Sequence, residues 1–236
     1  MGSIVPISCP KRSCKLRNIN LIMNNKVIAI IYKILRKEFN KKQAPIVDLI
    51  AAQTNDPFRI LVATIISART RDQTTAEVTR KLFASVADFS GLKRISRKKL
   101  EVLVFPAGFY KVKAKHLKQL PAIIEKNFNG KIPGNIEDLC TLPGVGRKTA
   151  NLVLALAFNK PAICVDVHVH RISNRFGLLK TKTPFDTEMK LRTILPEKYW
   201  KTWNSHLVSF GQTVCTPVNP KCGFCPIYKY CKRVGV

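Results

Sequence analysis

A lysine near the middle of the chain has the surroundings of a nucleophile. Lys148 lies in the stretch LPGVGRKTANLVLALAF, residues 142–158, where a glycine turn precedes an apolar helical pattern. In the first turn of a helix, an ammonium gains nothing from the helix dipole. The positive potential there, together with partial desolvation, favours the neutral amine, which is a nucleophile. The position predicts either a nucleophilic lysine or a simple phosphate contact.

A carboxylate that could accept the proton of that amine follows 18 positions later. Asp166 lies between an apolar run and the helical pattern VHVHRISNRF, which makes it a candidate N-cap. Beside a nucleophilic lysine it would also act as a proton acceptor. The sequence leaves both roles open, a helix cap alone or a catalytic carboxylate.

The glycine turn itself predicts a phosphate clamp. A nucleotide-binding P-loop needs the pattern G-x-x-x-x-G-K-[ST] after a strand, whereas here Arg147 follows Gly146 and a helical pattern precedes the turn. What remains is a helix-hairpin-helix, whose backbone amides and helix N-terminus bind DNA phosphates without reading the base sequence. An ordinary helical hairpin is the alternative. The residues predicted to contact DNA in this turn are Leu142, Gly144, Val145, Gly146 and Arg147.

Four cysteines near the end of the sequence have the spacing of a metal site. Cys215, Cys222, Cys225 and Cys231 form the pattern C-x6-C-x2-C-x5-C. Four thiolates this close suit one tetrahedral ion or one cubane cluster. Structural zinc commonly uses two C-x-x-C pairs and only one is present, so the spacing favours one [4Fe–4S] cluster over zinc, with disulfides third. Lys221, inside the pattern, is predicted to contact the DNA backbone.

The elements that must position these groups have helical patterns throughout. Apolar residues recur at helical spacing from KVIAIIYKILRKEF to YWKTWNSHLVSFGQ, and no strand pattern is convincing. Ser96, Asn135 and Thr183 are expected to cap helices, and Thr70 with Gln73 is expected to form a capping box. The sequence therefore predicts an all-α protein.

The charge of the chain points to a polyanionic partner. Lys and Arg number 41 against 14 acidic residues, which gives a net charge of +27. Nucleic acid is the first candidate and an anionic membrane surface the second. No apolar run reaches the ~18 residues needed to span a bilayer. Residues 1–23 form a basic tail without the apolar core of a signal peptide, and Met23 is an alternative start.

The cysteines indicate a reducing compartment, because four of the eight crowd into the last 22 residues instead of forming an even disulfide framework. Outside that group, Cys140 and Cys164 are predicted to be small buried residues.

With these residues in view, the chain resembles endonuclease III, the family of helix-hairpin-helix DNA glycosylases that carry an iron–sulfur cluster. The similarity runs from about residue 24 to Cys231, through SARTRDQ, PAGFYKVKAKHL, LPGVGRKTAN, VDVHVHR and the four-cysteine pattern. It implies a six-helix barrel over residues 50–160, ending in the hairpin. An iron–sulfur cluster domain over residues 24–49 and 161–236, a flexible basic tail over 1–23, and DNA across the cleft between the domains would complete the molecule.

The resemblance also implies a reaction. Lys148 matches the family's nucleophile and Asp166 its catalytic carboxylate. The expected enzyme is a bifunctional DNA glycosylase and abasic-site lyase that removes oxidised pyrimidines. It then nicks the strand 3′ of the abasic site by β-elimination through a lysine Schiff base. The expected partner is double-stranded DNA with damaged bases or abasic sites, and a membrane is not expected. We expect a monomer located inside the cell, with the DNA.

Two positions depart from the family pattern. Arg69, in SARTRDQ, stands where glutamine fills the space left by a flipped nucleotide. Phe109, in PAGFYK, stands where leucine is usual as a wedge between bases, and an aromatic wedge is chemically reasonable. Both are predicted to contact DNA; the alternatives are a solvated charge for Arg69 and a core residue for Phe109.

Three other functions remain as alternatives. An adenine glycosylase would lack the lysine nucleophile and carry a further C-terminal domain, whereas only five residues follow Cys231. A mismatch thymine glycosylase usually has another residue in place of Lys148. A non-enzymatic DNA-binding iron–sulfur module would need neither Lys148 nor Asp166.

Overall fold

The computed structural model describes residues 25–40 and 44–236, and the regular structure of these residues is entirely helical. The prediction of an all-α protein is confirmed, and the predicted tail over residues 1–23 lies outside the described residues. No helix in these two ranges is both long and apolar enough to cross a membrane. In chain order the α-helices are α1 (Asn25–Phe39), α2 (Ile46–Thr54), α3 (Pro57–Ser67), α4 (Asp72–Ser85), α5 (Phe89–Arg94), α6 (Arg97–Val104), α7 (Tyr110–Phe128), α8 (Ile136–Thr141), α9 (Arg147–Ala157), α10 (Val167–Phe176), α11 (Pro184–Ile194) and α12 (Trp200–Thr213).

A first hydrophobic core is built by α3 to α9, with α3 at its centre. Ile60, Leu61 and Val62 are consecutive and fully buried, so α3 is covered on every side. The helix starts sharply because the Asp56 carboxylate accepts a hydrogen bond from the amide of Phe58. Helix α9 packs along α3. The two ends of this central pair, the C-terminus of α3 and the N-terminus of α9, carry most of the predicted site.

A second hydrophobic core joins α1 to the C-terminal helices α10, α11 and α12. Trp203 and Phe176 are its largest buried side chains, and Ile28 and Ile31 of α1 pack with them. The first described helix therefore belongs with the end of the chain. A small cluster of α2 residues packs on α3 and α9 beside the first core. The predicted domain boundaries at residues 49/50 and 160/161 stay predictions.

Three predicted helix caps are confirmed. The hydroxyl of Ser96 accepts from the amide of Lys99, and the side chain of Asn135 accepts from the amide of Asp138. Thr183 forms a reciprocal capping box at the start of α11. Each of these contacts spans three residues, which is why the sequence reveals them.

The predicted capping box of Thr70 and Gln73 is wrong. Helix α4 has Arg71 as its N-cap residue and no side-chain cap hydrogen bond. The hydroxyl of Thr70 instead accepts from the Lys113 ammonium, at 2.7 Å, and from the Gly108 amide, at 3.1 Å. A charged donor forms the stronger hydrogen bond, so a distant lysine takes the hydroxyl away from the local cap.

The burial prediction holds for one of the two isolated cysteines. Cys164 is buried, at 2% exposure, but Cys140 is exposed. Helix α8 is short and only Leu139 of it is buried, so the next residue points away from the core. Small apolar character alone did not indicate which face of α8 Cys140 occupies.

Candidate active site and nucleic-acid interface

The hairpin turn between α8 and α9 is anchored on the first core. Leu142 and Val145 are 2% and 5% exposed, so only their backbone groups are available to a partner. Gly144 has φ +78°, and a Cβ atom there would lie 2.8 Å from Nδ1 of His116 and 3.3 Å from Ile65. The turn needs glycine at 144 for its own conformation and for its close contact with α7 and α3.

The start of α9 has the features of an anion site. Gly146 is the N-cap residue and provides no side-chain cap, so the first-turn amides have no side-chain acceptor there. A Cβ atom at Gly146 would meet nothing within 4 Å. The fold therefore gives no steric reason for glycine at this position, whereas close approach by a phosphate would.

Lys148 and Asp166 meet at this helix start. Nζ of Lys148 lies 3.8 Å from Oδ2 of Asp166, close enough for an ion pair and too far for a direct hydrogen bond. The other carboxylate oxygen, Oδ1, accepts from the amides of His168 and Val169 at 2.9 Å each. The carboxylate both caps α10 and faces the lysine, so the two alternatives from the sequence are compatible.

The two partners differ in their exposure. The Asp166 side chain is 10% exposed and the Lys148 side chain 53%. The partial desolvation expected for Lys148 is therefore small in the protein alone. A bound DNA strand would have to cover the amine to supply more.

Arg147 has a bonded partner inside the protein. Its guanidinium forms two hydrogen bonds with the Glu188 carboxylate, Nε to Oε2 at 2.8 Å and Nη2 to Oε1 at 3.1 Å. Glu188 is 3% exposed and also accepts from Arg192 at 2.9 Å. The predicted DNA contact of Arg147 must therefore coexist with a role in holding the start of α9 against α11. Sequence reasoning missed Glu188, because no motif surrounds it and its partner lies 41 residues away.

Arg69 and Phe109 lie next to each other. The Arg69 guanidinium is 5.4 Å from the centre of the Phe109 ring. Both residues have left-handed backbones, with φ +54° and +57°, and Phe109 is 61% exposed. The core alternative for Phe109 is thereby excluded. An exposed aromatic and an arginine held together suit insertion into stacked bases.

A buried lysine lies under this pair, and sequence reasoning missed it. Lys113, on α7, is 5% exposed and donates to the carbonyls of Ile66 and Ala68 and to the Thr70 hydroxyl, at 2.6 to 2.7 Å. Burial lowers its pKa to about 8. The ammonium form has one N–H for each of the two carbonyls and one for the hydroxyl. One Lys among many in a basic sequence gave no signal of this role.

One helix connects the hairpin turn with the exposed pair. Helix α7 has Phe109 as its N-cap residue and carries His116, which contacts the hairpin turn at Gly144. These two positions are about 10 Å apart along the helix axis. The turn and the Arg69–Phe109 pair are thus attached to the same rigid element.

The four predicted cysteine ligands surround one cavity. Cys215 follows α12, Cys222 begins a 3-10 turn that Cys225 follows, and Cys231 follows a second 3-10 turn. All four line the same pocket as free thiols. Lys221 is exposed immediately before the first of these turns.

The donor set fits an iron–sulfur cluster. Burial, the main cause, together with the neighbouring thiols, raises the pKa of Cys225 to about 11, a cost that binding to positively charged iron would offset. Across residues 25–40 and 44–236, no three His, Cys, Asp or Glu side chains form a group for a single metal ion. A four-iron cluster holds its thiolates at separate corners, so wider spacing around a common cavity is compatible with it.

A buried arginine fixes the loop that carries the first cysteine. Arg175, in the last turn of α10, donates to the carbonyls of Thr216 and Pro217 at 2.6 and 2.7 Å. Its Nη1 also lies 3.6 Å from Sγ of Cys215. Since Asp166 begins this same helix, α10 connects the carboxylate at one end with the cysteine loop at the other.

Two family models match the chain. Residues 62–197 match a model described as an HhH-GPD superfamily base excision DNA repair protein. Residues 215–231 match the iron-sulfur binding domain of endonuclease III. The first match includes the hairpin, Lys148 and Asp166, and the second runs from the first to the last of the four cysteines.

Individual relatives agree with these models. Endonuclease III of Thermotoga maritima is 43% identical over 177 residues, which cover 75% of this chain and 83% of that protein. A solved structure of a trapped endonuclease III–DNA covalent intermediate matches with a TM-score of 0.78 and 31% identity, over 88% of this chain and 95% of that one. A thermostable thymine-DNA glycosylase matches with a TM-score of 0.77 and 25% identity, over 89% and 97% of the two chains.

The two hairpin glycines should respond differently to alanine. Gly144→Ala should lower the free energy of unfolding by about 2 kcal/mol, from left-handed strain and the contact with His116. Gly146→Ala should change it by less than about 1 kcal/mol and weaken duplex DNA binding, because the new methyl group occupies space kept for phosphate. Urea unfolding and fluorescence-anisotropy titrations with duplex DNA measure the two quantities. Unchanged DNA affinity of Gly146→Ala would contradict the clamp.

Proposed function

Since the chain belongs to the HhH-GPD superfamily of base excision DNA repair proteins, we propose that it removes oxidised pyrimidines from DNA with Lys148 as the nucleophile. The chain is a DNA glycosylase of base excision repair with DNA as its partner, and its cofactor is an iron–sulfur cluster. The observation that carries the proposal is the approach of the Lys148 amine to the Asp166 carboxylate at the hairpin.

In the proposed reaction Lys148 replaces the damaged base. The amine lone pair forms a bond to C1′ of the deoxyribose while the bond from C1′ to the base breaks, and the departing base keeps that electron pair and takes up a proton from water. The free oxygen of Asp166, Oδ2, takes the proton that the amine loses. Opening of the sugar ring gives a Schiff base, from which loss of a C2′ proton expels the 3′ phosphate. Hydrolysis of the Schiff base then releases Lys148 and the nicked strand.

The protein's part in this reaction is positioning and charge. The two amides that bond Oδ1 of Asp166 hold the carboxylate still, so that Oδ2 stays directed at the amine. The exposed side of Lys148 would be covered by the strand bound at the hairpin, which excludes water from the amine. Flipping the damaged nucleotide costs a few kcal/mol, less where pairing is already weak.

Arg69 and Phe109 would keep the flipped state open. We propose that Phe109 enters the base stack as a wedge and that Arg69 fills the vacated space against the orphaned base. Their mutual contact and the exposure of Phe109 support this. Both act on duplex DNA, whereas Lys148 and Asp166 act on the sugar.

The cluster is proposed to be a [4Fe–4S] centre held by Cys215, Cys222, Cys225 and Cys231. When bound, it supplies iron–thiolate bonds that cross-link the C-terminal loop. Lys221, exposed in that loop, would then contact the DNA backbone. No step of base removal is assigned to the cluster.

A second candidate function is a mismatch-specific thymine glycosylase. The thymine-DNA glycosylase structure is nearly as similar in fold as the endonuclease III complex, with TM-scores of 0.77 and 0.78. An enzyme of that kind would release thymine from a mismatch without a lysine adduct. Covalent trapping therefore separates the two candidates.

A repair enzyme that acts on DNA works inside the cell, where the DNA is. We propose the cytoplasm or nucleoid as the compartment in a prokaryote, the nucleus or mitochondrion in a eukaryote, and a monomer as the working state.

The nucleophile assignment predicts a covalent adduct. Borohydride with abasic-site duplex should trap the wild-type protein, and Lys148→Gln should give no adduct while still binding the duplex, because only the amine is removed. Denaturing gels measure the fraction of DNA that is held in the adduct and the fraction of the strand that is nicked. Lys126→Gln is the control, since Lys126 is exposed in the last turn of α7, about 25 Å along that helix from Phe109. Trapping by Lys148→Gln at the wild-type rate would refute the assignment.

Asp166→Asn separates the cap from the charge. Asparagine can still accept the amide hydrogen bonds of His168 and Val169, so the thermal midpoint should fall by only a few degrees. The single-turnover rate of base release should fall by about a hundredfold or more, because no carboxylate remains to take the proton. If the rate stays near that of the wild type, Asp166 is a helix cap only.

The cluster ligands can be tested by metal content. The purified protein should carry four irons per chain, and Cys225→Ala should lose them, since three thiolates cannot complete the site. Cys140→Ala should keep them, because Cys140 is an exposed thiol outside the four-cysteine group. Iron and sulfide analysis gives the result. Stoichiometric zinc in place of iron would overturn the assignment.

A further inference from the structure

Lys113 is a buried cation whose partners are all neutral. Its three hydrogen bonds go to two backbone carbonyls and one hydroxyl, and its side chain is almost completely shielded from water. Burying an ammonium without a carboxylate is costly. A methionine of similar length would fill the same space without that cost, so packing alone does not account for a lysine.

The groups that Lys113 bonds lie on both sides of Arg69. Ile66 and Ala68 are at the C-terminal end of α3, where carbonyls lack helical donors and the dipole attracts a cation. Thr70 is the residue after Arg69. One ammonium thus fixes the chain immediately before and after the arginine.

The same ammonium reaches the segment that carries Phe109. Thr70 Oγ1, which accepts from Lys113, also accepts from the amide of Gly108. A Cβ atom at Gly108 would lie 2.4 Å from the Arg69 carbonyl oxygen, so the two loops touch backbone to backbone. Lys113 itself is one helical turn after Phe109 on α7.

The backbone of the two exposed residues needs such support. A non-glycine residue in the left-handed region costs about 1–2 kcal/mol, and both Arg69 and Phe109 are there. Conformations of this kind persist where the surrounding structure holds them. The hydrogen bonds around Lys113 connect to both loops at once.

We propose that Lys113 is a positioning residue that sets Arg69 and Phe109 as one rigid unit for insertion into the DNA duplex. The proposal rests on the insertion roles proposed above for these two residues. Lys113 does not touch the sugar chemistry. It determines whether the wedge and the gap-filling arginine enter the duplex together, in the geometry that keeps the nucleotide flipped.

Lys118 provides a matched control on the same helix. Its ammonium donates to the carbonyls of Leu92, Lys93 and Ile95 around the C-terminus of α5, at 3.3, 2.7 and 2.6 Å. As at Lys113, an ammonium on α7 donates to carbonyls at the C-terminus of another helix, but neither Arg69 nor Phe109 is attached to α5. Removing either ammonium costs stability; only removal of the first should alter insertion.

The test compares two abasic substrates. One is an intact duplex, and the other carries a one-nucleotide gap in the undamaged strand opposite the abasic site, so that no orphaned base has to be displaced or contacted. Single-turnover borohydride-trapping rates are measured on both for wild type, Lys113→Met and Lys118→Met. Lys113→Met should reduce the ratio of intact to gapped rates by about tenfold or more, since misplacement by about 1 Å is costly. Lys118→Met should leave that ratio unchanged.

A second variant tests the role of Lys113 with the same ratio, and a fluorescence measurement tests it independently of the trapping rates. If Lys113→Met does not fold, Thr70→Val removes only the hydroxyl shared by Lys113 and Gly108, and its ratio should fall in the same direction. 2-Aminopurine opposite the abasic site should show a smaller fluorescence rise on binding to either variant than to wild type. A folded variant with the wild-type ratio overturns the positioning role. If the wild-type protein forms no covalent adduct with the intact duplex or with the gapped one, the assignment of Lys148 as the nucleophile is wrong.

Discussion

The rest of the site depends on the carboxylate of Asp166, which makes two different contacts at once. One oxygen of Asp166 caps α10, in the second core, and the other faces Lys148 on α9, in the first core. The two hydrogen bonds from the His168 and Val169 amides restrict the position of the carboxylate, because both must keep their length and direction. The distance from amine to acid is therefore set by how two separate groups of helices pack, and the chemistry of the lysine depends on that packing.

The few acidic residues are placed where they organise basic ones. The chain has 14 of them against 41 Lys and Arg, and two of the acids pair with basic residues in the first turn of α9. Asp166 faces Lys148, while buried Glu188 pairs with Arg147 and Arg192. An anionic partner would meet a surface whose positive charge is largely uncompensated, which favours DNA at long range. The two carboxylates are themselves shielded from water, and they hold Lys148, Arg147 and Arg192 in place.

The helix N-termini fall into two groups, those with a side-chain cap and those without one. Helices α3, α5, α6, α8, α10 and α11 have side-chain caps. Helices α4, α7 and α9, which begin beside Arg69, at Phe109 and at Gly146, have none, and neither have α2 and α12. A side-chain cap would occupy the amides that a phosphate needs. The helices that begin at or beside Arg69, Phe109 and Gly146 thus have no side-chain acceptor for their first-turn amides.

Features that depend on residues a few positions apart are predictable from this sequence alone. The helices, the caps at Ser96, Asn135 and Thr183, the glycine hairpin and the spacing of the four cysteines are all encoded within short stretches, because helix and turn geometry repeat over three or four residues. Contacts between residues far apart in the chain follow instead from how the helices pack. The Thr70 hydroxyl accepts a hydrogen bond from Lys113, which lies 43 residues away. Arg147 pairs with Glu188, which lies 41 residues away. Such contacts depend on which helix ends come together when the two cores pack. Short sequence patterns carry no information about that packing.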